Sequence, residues 1–288
     1  MTTTAPLVSP QALLEYFADP RLILLDVRAH LTDLGAGRRA YAEGHLPHAQ
    51  FLDFEHEVCG AHAAGKGRHP LPVPSDFLHT MWRLGVSHTS RVVVYDAGSL
   101  SFAARTWFTL RWLGFEDVSV LDGGFTGWVR NQLPVEVTPS PAMAPGALTE
   151  APSLERVYET SEIEAWVAAP DEEHVLVDAR PRARYLGEVV TIDPVAGHIP
   201  GSLSLPGEEV IDASGFMKSP QALRSLFAGR LGRHPAAGVI HTCGSGVRAC
   251  TNRLAMAVAG LPCAGVYIGS FSEWITSPAR PVTCGESR

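Results

Sequence analysis

The second half of this 288-residue chain repeats the first half. Four segments of the first half recur in the same order, 146 to 153 residues later. The segment pairs are 24–28 with 176–180, 42–49 with 196–202, 91–96 with 238–243, and 122–128 with 268–274. A repeat of about half the chain predicts two related domains. We place them at residues 1–137 and 157–288, with the linker at 138–156, which begins with a stretch rich in Pro, Ala and Thr.

Each half alternates short β-branched runs with helix-forming stretches. This alternation predicts an α/β fold, in which each domain has a mainly parallel sheet flanked by helices. Ser9-Pro10 and Ser219-Pro220 pair a helix N-cap with Pro at the first helical position. Ser161 has the spacing to Glu164 that forms a capping box. We expect a helix to begin at each of these three sites. We also expect helices at 249–259 and 103–113, which are equivalent positions of the repeat.

Cys243 lies at a predicted turn between a strand and a helix. It follows the apolar run 238–240 and precedes the small residues of 244–247. The backbone N–H groups of such a turn, together with the helix N-terminus, favour the thiolate, which is the nucleophilic form of cysteine. The repeat puts Asp96 at the equivalent position of the first half. We therefore expect the second domain to hold a nucleophile that the first domain lacks.

The composition argues against several classes of protein. A net charge of −7 disfavours nucleic acid as a partner, and no apolar run approaches the ~18 residues of a membrane-spanning helix. Residues 1–6 have neither the basic segment nor the apolar core of a secretory signal. Five cysteines without framework spacing fit a reducing compartment. We expect a cytoplasmic protein with no nucleic-acid or membrane partner.

Together these motifs resemble the tandem-rhodanese sulfurtransferases. Both halves have a His-(Leu or Ile)-Pro segment, the first half has Tyr-Asp where the second has the cysteine, and segments 269–274 and 277–282 also fit. The loop that starts at Cys243 is similar to that of family members that use 3-mercaptopyruvate. Members that prefer thiosulfate usually have Arg and Lys after the cysteine, where this chain has Gly244 and Ser245.

The resemblance implies a sulfurtransferase that needs no metal or organic cofactor. Cys243 would take a sulfur atom from the small-molecule donor 3-mercaptopyruvate as a persulfide, with release of pyruvate, and would then pass it to cyanide or a thiol. Thioredoxin-like proteins and low-molecular-weight thiols are the implied acceptors. The backbone amides of Gly244, Gly246 and Val247 would hold the anionic sulfur.

The resemblance also implies binding and proton-transfer roles. Arg184 matches the family's arginine that reaches the active site, and its guanidinium suits a donor carboxylate. Ser245 and His69 match two members of a Ser/His/acid relay, whose acid is Glu55 or Asp53. Because His69 and the acid come from the first half of the chain, the resemblance implies an active site between the two domains.

Three positions depart from the family pattern. A second carboxylate-binding arginine commonly follows the first by nine residues, but Asp193 stands there and would repel an anion. The loop ends in Arg248, where two-domain members usually have Thr, so Arg248 either binds the donor or shapes the loop by binding its carbonyls. The family's acid is typically Asp, at the position that we count as Glu55. Thiosulfate or another sulfane donor is therefore the alternative substrate.

Two other functions compete with sulfur transfer. A cysteine phosphatase also closes a cysteine loop with Arg, but with the pattern C-x5-R, whereas Cys243 to Arg248 is C-x4-R and forms a smaller cradle. The second is a non-catalytic sulfur carrier, against which the complete loop argues. His56, Cys59 and His62 are metal-ligand types, but they lack the paired spacing of a structural zinc site, so we expect no metal.

Residues that recur in both halves are expected to serve the fold rather than the chemistry. These are the pairs Asp26 and Asp178, Arg28 and Arg180, His45 and His198, and Trp128 and Trp274. Arg184 has no such counterpart, which favours it as a site residue.

Overall fold

The computed structural model describes residues 4–286 and divides them into two compact units. The first unit contains the described residues up to Gly60, together with Leu71–Glu155 and Ala213–Phe216. The second unit contains Ala61–Pro70, Arg156–Asp212 and the described residues from Met217 onward. The expectation that no signal peptide is present rests partly on residues 1–3, which lie outside the described range.

The first unit is built on a five-stranded sheet. Its strands are β1 (Leu7–Val8), β2 (Leu22–Asp26), β3 (Gln50–Phe51), β4 (Arg91–Tyr95) and β5 (Val118–Leu121). They are parallel and follow the order β1-β5-β4-β2-β3. The helices are α1 (Pro10–Glu15), α2 (Ala36–Glu43), α3 (Pro74–Arg83), α4 (Ser101–Trp112) and α5 (Gly124–Arg130), with a short π-helix at Phe54–Val58.

The second unit repeats this plan with four strands. They are β6 (Val175–Asp178), β7 (Leu203–Ser204), β8 (Val239–Thr242) and β9 (Gly265–Val266), parallel and in the order β7-β6-β8-β9. A single parallel bridge from Val157 to Val266 stands where the first sheet has β1. The helices are α6 (Thr160–Ala168), α7 (Arg182–Leu186), α8 (Pro220–Leu231), α9 (Arg248–Val258) and α10 (Ser270–Trp274), with short 3₁₀-helices at Gly207–Val210 and Ala236–Gly238.

The central strands confirm the predicted α/β fold. Val92–Tyr95 of β4 and all of β8 are buried, as expected of parallel strands that are covered on both faces. In register, Asp26 pairs with Tyr95, and Asp178 pairs with Thr242. The loops that begin at Asp96 and at Cys243 therefore leave the same edge of equivalent sheets.

Two of the three predicted helix starts are confirmed. The hydroxyls of Ser9 and Ser219 accept the N–H groups of Ala12 and Ala222, at 3.2 and 3.3 Å. The predicted capping box of Ser161 and Glu164 is wrong, because α6 begins earlier. Its N-cap is Glu159, whose N–H donates to the Glu162 carboxylate at 2.8 Å and whose side chain accepts the N–H of Glu162 in return.

The recurring aspartate and arginine form the same buried ion pair in both units, in agreement with the structural role predicted for them. Asp26 accepts from Arg28 at 2.6 Å, Arg28 also donates to the Gly44 carbonyl at 2.6 Å, and its guanidinium lies 4.1 Å from the Phe125 ring centre. The second unit repeats each of these contacts with Asp178, Arg180, Gly197 and Phe271. These clusters fix the ends of β2 and β6, the strands that pair with β4 and β8, from which the two loops depart.

No helix in the described range is both long enough and apolar enough to cross a bilayer. The same range contains no group of three or more His, Cys, Asp or Glu side chains arranged to hold a metal ion. Cys59, one of the ligand-type residues of the sequence, is buried, and burial raises the pKa of its thiol to about 12. Cys59 is therefore a neutral thiol at physiological pH.

Candidate active site

Cys243 begins the loop between β8 and α9, at the carboxyl end of the second sheet. The residue is buried, with 2% of its surface exposed. Two hydrogen bonds tie the loop to α10. The N–H of Phe271 donates to the Cys243 carbonyl at 3.0 Å, and the N–H of Ser272 donates to the Gly244 carbonyl at 2.8 Å. The backbone on either side of the sulfur is thus held by the helix that follows β9.

Gly246 and Val247 complete the loop. Gly246 has a φ of 75°, in the left-handed region that side chains disfavour, so a glycine suits this turn. The thiol of Cys250 on α9 lies 3.2 Å from the Gly246 carbonyl and donates to it. Val247 is buried and serves as the N-cap residue of α9. The loop is therefore fastened at both ends, and the helix N-terminus begins directly behind Cys243.

The first unit contains the same type of loop with a carboxylate in place of the thiol. Both oxygens of the fully buried Asp96 act as acceptors, as they do in an ionised carboxylate. Burial raises the pKa of Asp96, while its backbone hydrogen bonds oppose that rise. The donors are the N–H groups of Gly98, Leu100, Phe102 and Ala103, at 2.8 to 3.4 Å, and the hydroxyl of Ser99 at 3.1 Å. This loop shape therefore surrounds an anionic group with N–H donors.

His69 and Ser245, which the resemblance assigns to a relay, are in hydrogen-bond contact. Nδ1 of His69 lies 2.7 Å from Oγ of Ser245, and both residues are buried. The segment that contains His69 is held by α10, because the N–H of Gly67 donates to Glu273 at 2.9 Å and the N–H of Arg68 donates to Ser272 at 3.1 Å. The contact therefore joins residues that are 176 positions apart in sequence.

Arg184 lies beside the loop together with a second arginine, Arg68, which sequence reasoning missed. A Cβ atom on Gly244 would lie 3.2 Å from Nη2 of Arg68 and 3.5 Å from Nη2 of Arg184. Both guanidinium groups therefore border the residue that follows Cys243. The available signal for Arg68 was its position directly before His69 in the sequence.

Asp193 binds both of these arginines. Its Oδ1 contacts Nη1 of Arg68 and its Oδ2 contacts Nη2 of Arg184. The Asp193 side chain is only 4% exposed, so it is a buried carboxylate with a guanidinium on each oxygen. Asp193 is therefore not an unpaired charge, because it lies between two cations whose summed charge exceeds its own by one.

The predicted relay acid, Glu55 or Asp53, belongs to the first unit. The Asp53 carboxylate caps the short π-helix, accepting the N–H of His56 at 3.2 Å, and lies 3.0 Å from Nδ1 of His56. Glu55 is half-buried in the first turn of that helix and lines a small cavity with Phe51 and Phe102. The assignment of the acid to Glu55, with Asp53 as the alternative, stays a prediction.

Arg248 is the first residue of α9 and is about half exposed. Its Nη1 lies 3.4 Å from the carboxylate of Glu208, which is also exposed. This surface ion pair is the contact that the structure gives to the guanidinium. Donor binding and binding of the loop carbonyls stay the two predicted roles of Arg248.

His241, two residues before Cys243, is fully buried. Its Nε2 lies 3.1 Å from the sulfur of Met256 on α9. Burial lowers the pKa of His241 to about 3, so this imidazole is neutral at physiological pH and contributes no positive charge to the site.

Comparison with known proteins agrees with this geometry. The model of the rhodanese-like domain matches residues 9–131 and 161–277. A probable 3-mercaptopyruvate sulfurtransferase of Pseudomonas aeruginosa is 38% identical over 286 residues, which cover 99% of this chain and all of the relative. A putative thiosulfate sulfurtransferase of Mycobacterium tuberculosis is 36% identical over 265 residues, which cover 91% of this chain and 90% of the relative.

Solved structures show the same relationship. The crystal structure of SseA from Escherichia coli, described as a 3-mercaptopyruvate sulfotransferase, superimposes with a TM-score of 0.78 and 32% sequence identity. The superposition covers 93% of this chain and all of the other. Both the sequence and the fold are thus shared over nearly the full length.

Proposed function

The chain belongs to the rhodanese family, of which it carries two tandem domains, and we propose that it transfers sulfur from 3-mercaptopyruvate to a thiol or to cyanide. The observation that supports this donor best is the 2.7 Å contact of Ser245 with His69 in the loop of Cys243. Cleavage of 3-mercaptopyruvate leaves an enolate that must gain a proton, whereas cleavage of thiosulfate leaves sulfite, which needs none. A hydroxyl paired with an imidazole can supply that proton.

In the first step the Cys243 thiolate attacks the donor's sulfur atom. The new S–S bond forms as the C–S bond of the donor breaks, and the electron pair of that bond passes to carbon 3 as the enolate of pyruvate. Ser245 delivers a proton to this carbon and is reprotonated through His69, with Glu55 as the proposed acid of the relay. Pyruvate leaves, and Cys243 holds a persulfide.

The loop would stabilise the anionic persulfide through its backbone amides. Gly244, Gly246 and Val247 belong to the turn that stands at the position of the Asp96 loop, where the N–H groups of Gly98 and Leu100 donate to a carboxylate. Fixed donors of this kind stabilise charge without reorganising during the reaction. Arg184, with Arg68 beside it, would bind the donor's carboxylate by charge-assisted hydrogen bonds.

The second step returns the enzyme to its starting state. The acceptor's sulfur or carbon nucleophile attacks the outer sulfur of the persulfide, and Cys243 leaves as the thiolate. Cyanide would give thiocyanate. A low-molecular-weight thiol or a thioredoxin-like protein would give a new persulfide, which is the expected acceptor chemistry in a reducing cytoplasm.

Thiosulfate is the second candidate donor. Arg68 favours it, because a second guanidinium at Gly244 adds positive charge that a dianion can use. The contact of Arg248 does not favour a phosphatase. A phosphatase loop needs its arginine to face a phosphate in the cradle, whereas the guanidinium of Arg248 contacts Glu208 on the surface.

Steady-state sulfur transfer to cyanide tests the proposal. Wild-type protein and Cys243→Ser are compared with 3-mercaptopyruvate and with thiosulfate, and Cys263→Ser serves as a control at a partly exposed cysteine. We expect a higher kcat/KM for 3-mercaptopyruvate, lost in Cys243→Ser and kept in Cys263→Ser. A higher value for thiosulfate would assign the second donor, and no turnover with either would reject the proposal in favour of a sulfur carrier.

A further inference from the structure

Arg68, Asp193 and Arg184 form a three-residue charge cluster beside the loop of the nucleophile. Two guanidinium groups and one carboxylate leave this cluster with one net positive charge. The cluster is substantially removed from solvent, since the side chains of Arg68 and Arg184 are 29% and 17% exposed and that of Asp193 is 4% exposed. Charges in such surroundings are screened less than they are at the surface.

The neighbouring ionic groups do not alter this balance. Arg180 is paired with Asp178 at 2.6 Å. Lys66 lies 3.8 Å from the carboxylate of Glu273. Apart from the Cys243 thiolate, which both donors meet alike, the net charge beside Gly244 is therefore set by the three-residue cluster.

We propose that Asp193 is a specificity-determining residue, which sets the cluster to one positive charge and thereby selects monoanionic sulfur donors over dianionic ones. The proposal rests on the proposed function, since it concerns the donor of that reaction. 3-Mercaptopyruvate has one negative charge at neutral pH, on its carboxylate, whereas thiosulfate has two. A monoanion balances the cluster, whereas a dianion leaves an unmatched negative charge in a partly buried site, which is unfavourable.

Asp193 also acts as a positioning residue. Each of its oxygens contacts a different guanidinium, so the carboxylate links an arginine of segment 61–70 to an arginine of α7. A guanidinium has five N–H donors, and a single contact with Asp193 occupies one nitrogen of each arginine. The remaining donors of two oriented guanidinium groups suit a carboxylate, whose two oxygens accept in a fork.

The test is the ratio of kcat/KM for thiosulfate to kcat/KM for 3-mercaptopyruvate, with cyanide as acceptor. Asp193→Asn keeps the shape of the side chain and raises the cluster to two positive charges. We expect the ratio to rise by about tenfold, since one added charge at a distance of several ångströms changes the binding of a dianion more than that of a monoanion. The gain should shrink as the salt concentration rises.

Three further variants sharpen the test. Asp193→Ser removes the charge with a smaller side chain and should also raise the ratio, which covers the case in which Asp193→Asn fails to fold. Asp193→Glu keeps the charge and should retain the wild-type ratio. Glu172→Gln is the matched control, because it removes one charge from an 87% exposed side chain that precedes β6, at the opposite end of the sheet from Cys243.

An unchanged ratio in both neutral variants would overturn the proposal, and so would an equal loss of activity with both donors, because that result would indicate positioning without charge selection. A rise in Glu172→Gln equal to that in Asp193→Asn would overturn it as well, as an effect of total charge. These outcomes presuppose a wild-type protein that turns over. Absence of wild-type turnover with either donor would overturn the proposed function and this inference together.

Discussion

Asp96 in the first unit and Cys243 in the second unit stand at the same point of the same loop. Each follows the central strand of its sheet and accepts, at its carbonyl, the N–H of a phenylalanine in the next short helix, at 2.8 Å from Phe125 and 3.0 Å from Phe271. Behind each of them a helix begins, α4 in one unit and α9 in the other. The two halves thus place different side chains at equivalent points of the fold, in loops whose left-handed residues differ: Gly98 and Leu100 in the first and Gly246 in the second.

The difference shows what the loop is suited to hold. In the first unit the cradle is filled by a carboxylate of the chain itself, which accepts four backbone N–H groups and one hydroxyl. In the second unit the corresponding side chain is one that can gain and lose a sulfur atom. Under the proposed function, the loop that surrounds a fixed anion in one half would hold, in the other half, an anion that forms during the reaction.

Replacing Cys243 with Asp would make the second loop resemble the first. We expect kcat for sulfur transfer to fall by at least about a thousandfold with either donor, because the nucleophile is gone. The fold should persist, since the loop accommodates Asp at this point in the first unit. Cyanide assays and thermal unfolding measure the two effects. A variant that retains a tenth or more of the activity would show that Cys243 is not the nucleophile.

Ser245 distinguishes the loops further, because the first loop has Gly98 at that position. Ser245→Ala should lower kcat with 3-mercaptopyruvate by about a hundredfold, the usual contribution of a positioned proton donor. The loss with thiosulfate should be smaller, since sulfite leaves without a proton. Both donors are assayed on the same preparation. Equal losses with the two donors would contradict a role for Ser245 in proton transfer.

Asp96→Ala would remove the carboxylate that the loop of the first unit surrounds. Five donors would lose their acceptor in a buried place, and we expect the free energy of unfolding to fall by about 3 kcal/mol. Denaturant unfolding followed by tryptophan fluorescence measures the change, with Asp96→Asn as the variant that keeps part of the hydrogen bonding. If both variants have the same free energy of unfolding as the wild-type protein, the Asp96 contacts do not stabilise this unit.

His241 of β8 corresponds to Val94 of β4, so His241→Val makes the two central strands more alike. The pKa of about 3 in the folded protein lies below that of an unfolded histidine, near 6.5, so the unfolded chain binds the extra proton. The wild-type protein should therefore lose about 1.4 kcal/mol of stability per pH unit on this account as the pH falls from 6.5 towards 3. His241→Val should remove that slope while changing little at pH 7. The free energy of unfolding of both proteins, measured at several pH values, tests this prediction. The same pH dependence in the wild-type protein and in His241→Val would contradict it.

Much of the fold can be predicted from the sequence, because local patterns determine it. The repeat and the apolar runs predict two α/β units, and Ser-Pro pairs predict two helix starts. The position of Cys243 at a strand-to-helix turn also follows from the sequence, since turn residues and helix formers flank it. The capping box was misplaced, because a search for Ser or Thr overlooks Glu159, which caps α6 with the same two hydrogen bonds.

The charge cluster could not be predicted in the same way. Arg68, Arg184 and Asp193 are brought together by the fold, and the Arg68 contact spans 125 positions in the sequence. Without its partners Asp193 is only an acidic residue where the family resemblance implies an arginine, so an unpaired negative charge was the natural interpretation. The net charge around it depends on which cations touch it, and that depends on tertiary structure.

The segment Ala61–Pro70, which packs with the second unit, has a consequence for how this chain can evolve. A gene that lost its first half would lose Arg68 and His69 as well, although the nucleophile would be intact. Under the proposed function, the half without the nucleophile therefore contributes to the reaction through a ten-residue segment. On that proposal, deletion of either copy would remove residues that the reaction uses, so a simple deletion would not undo the duplication.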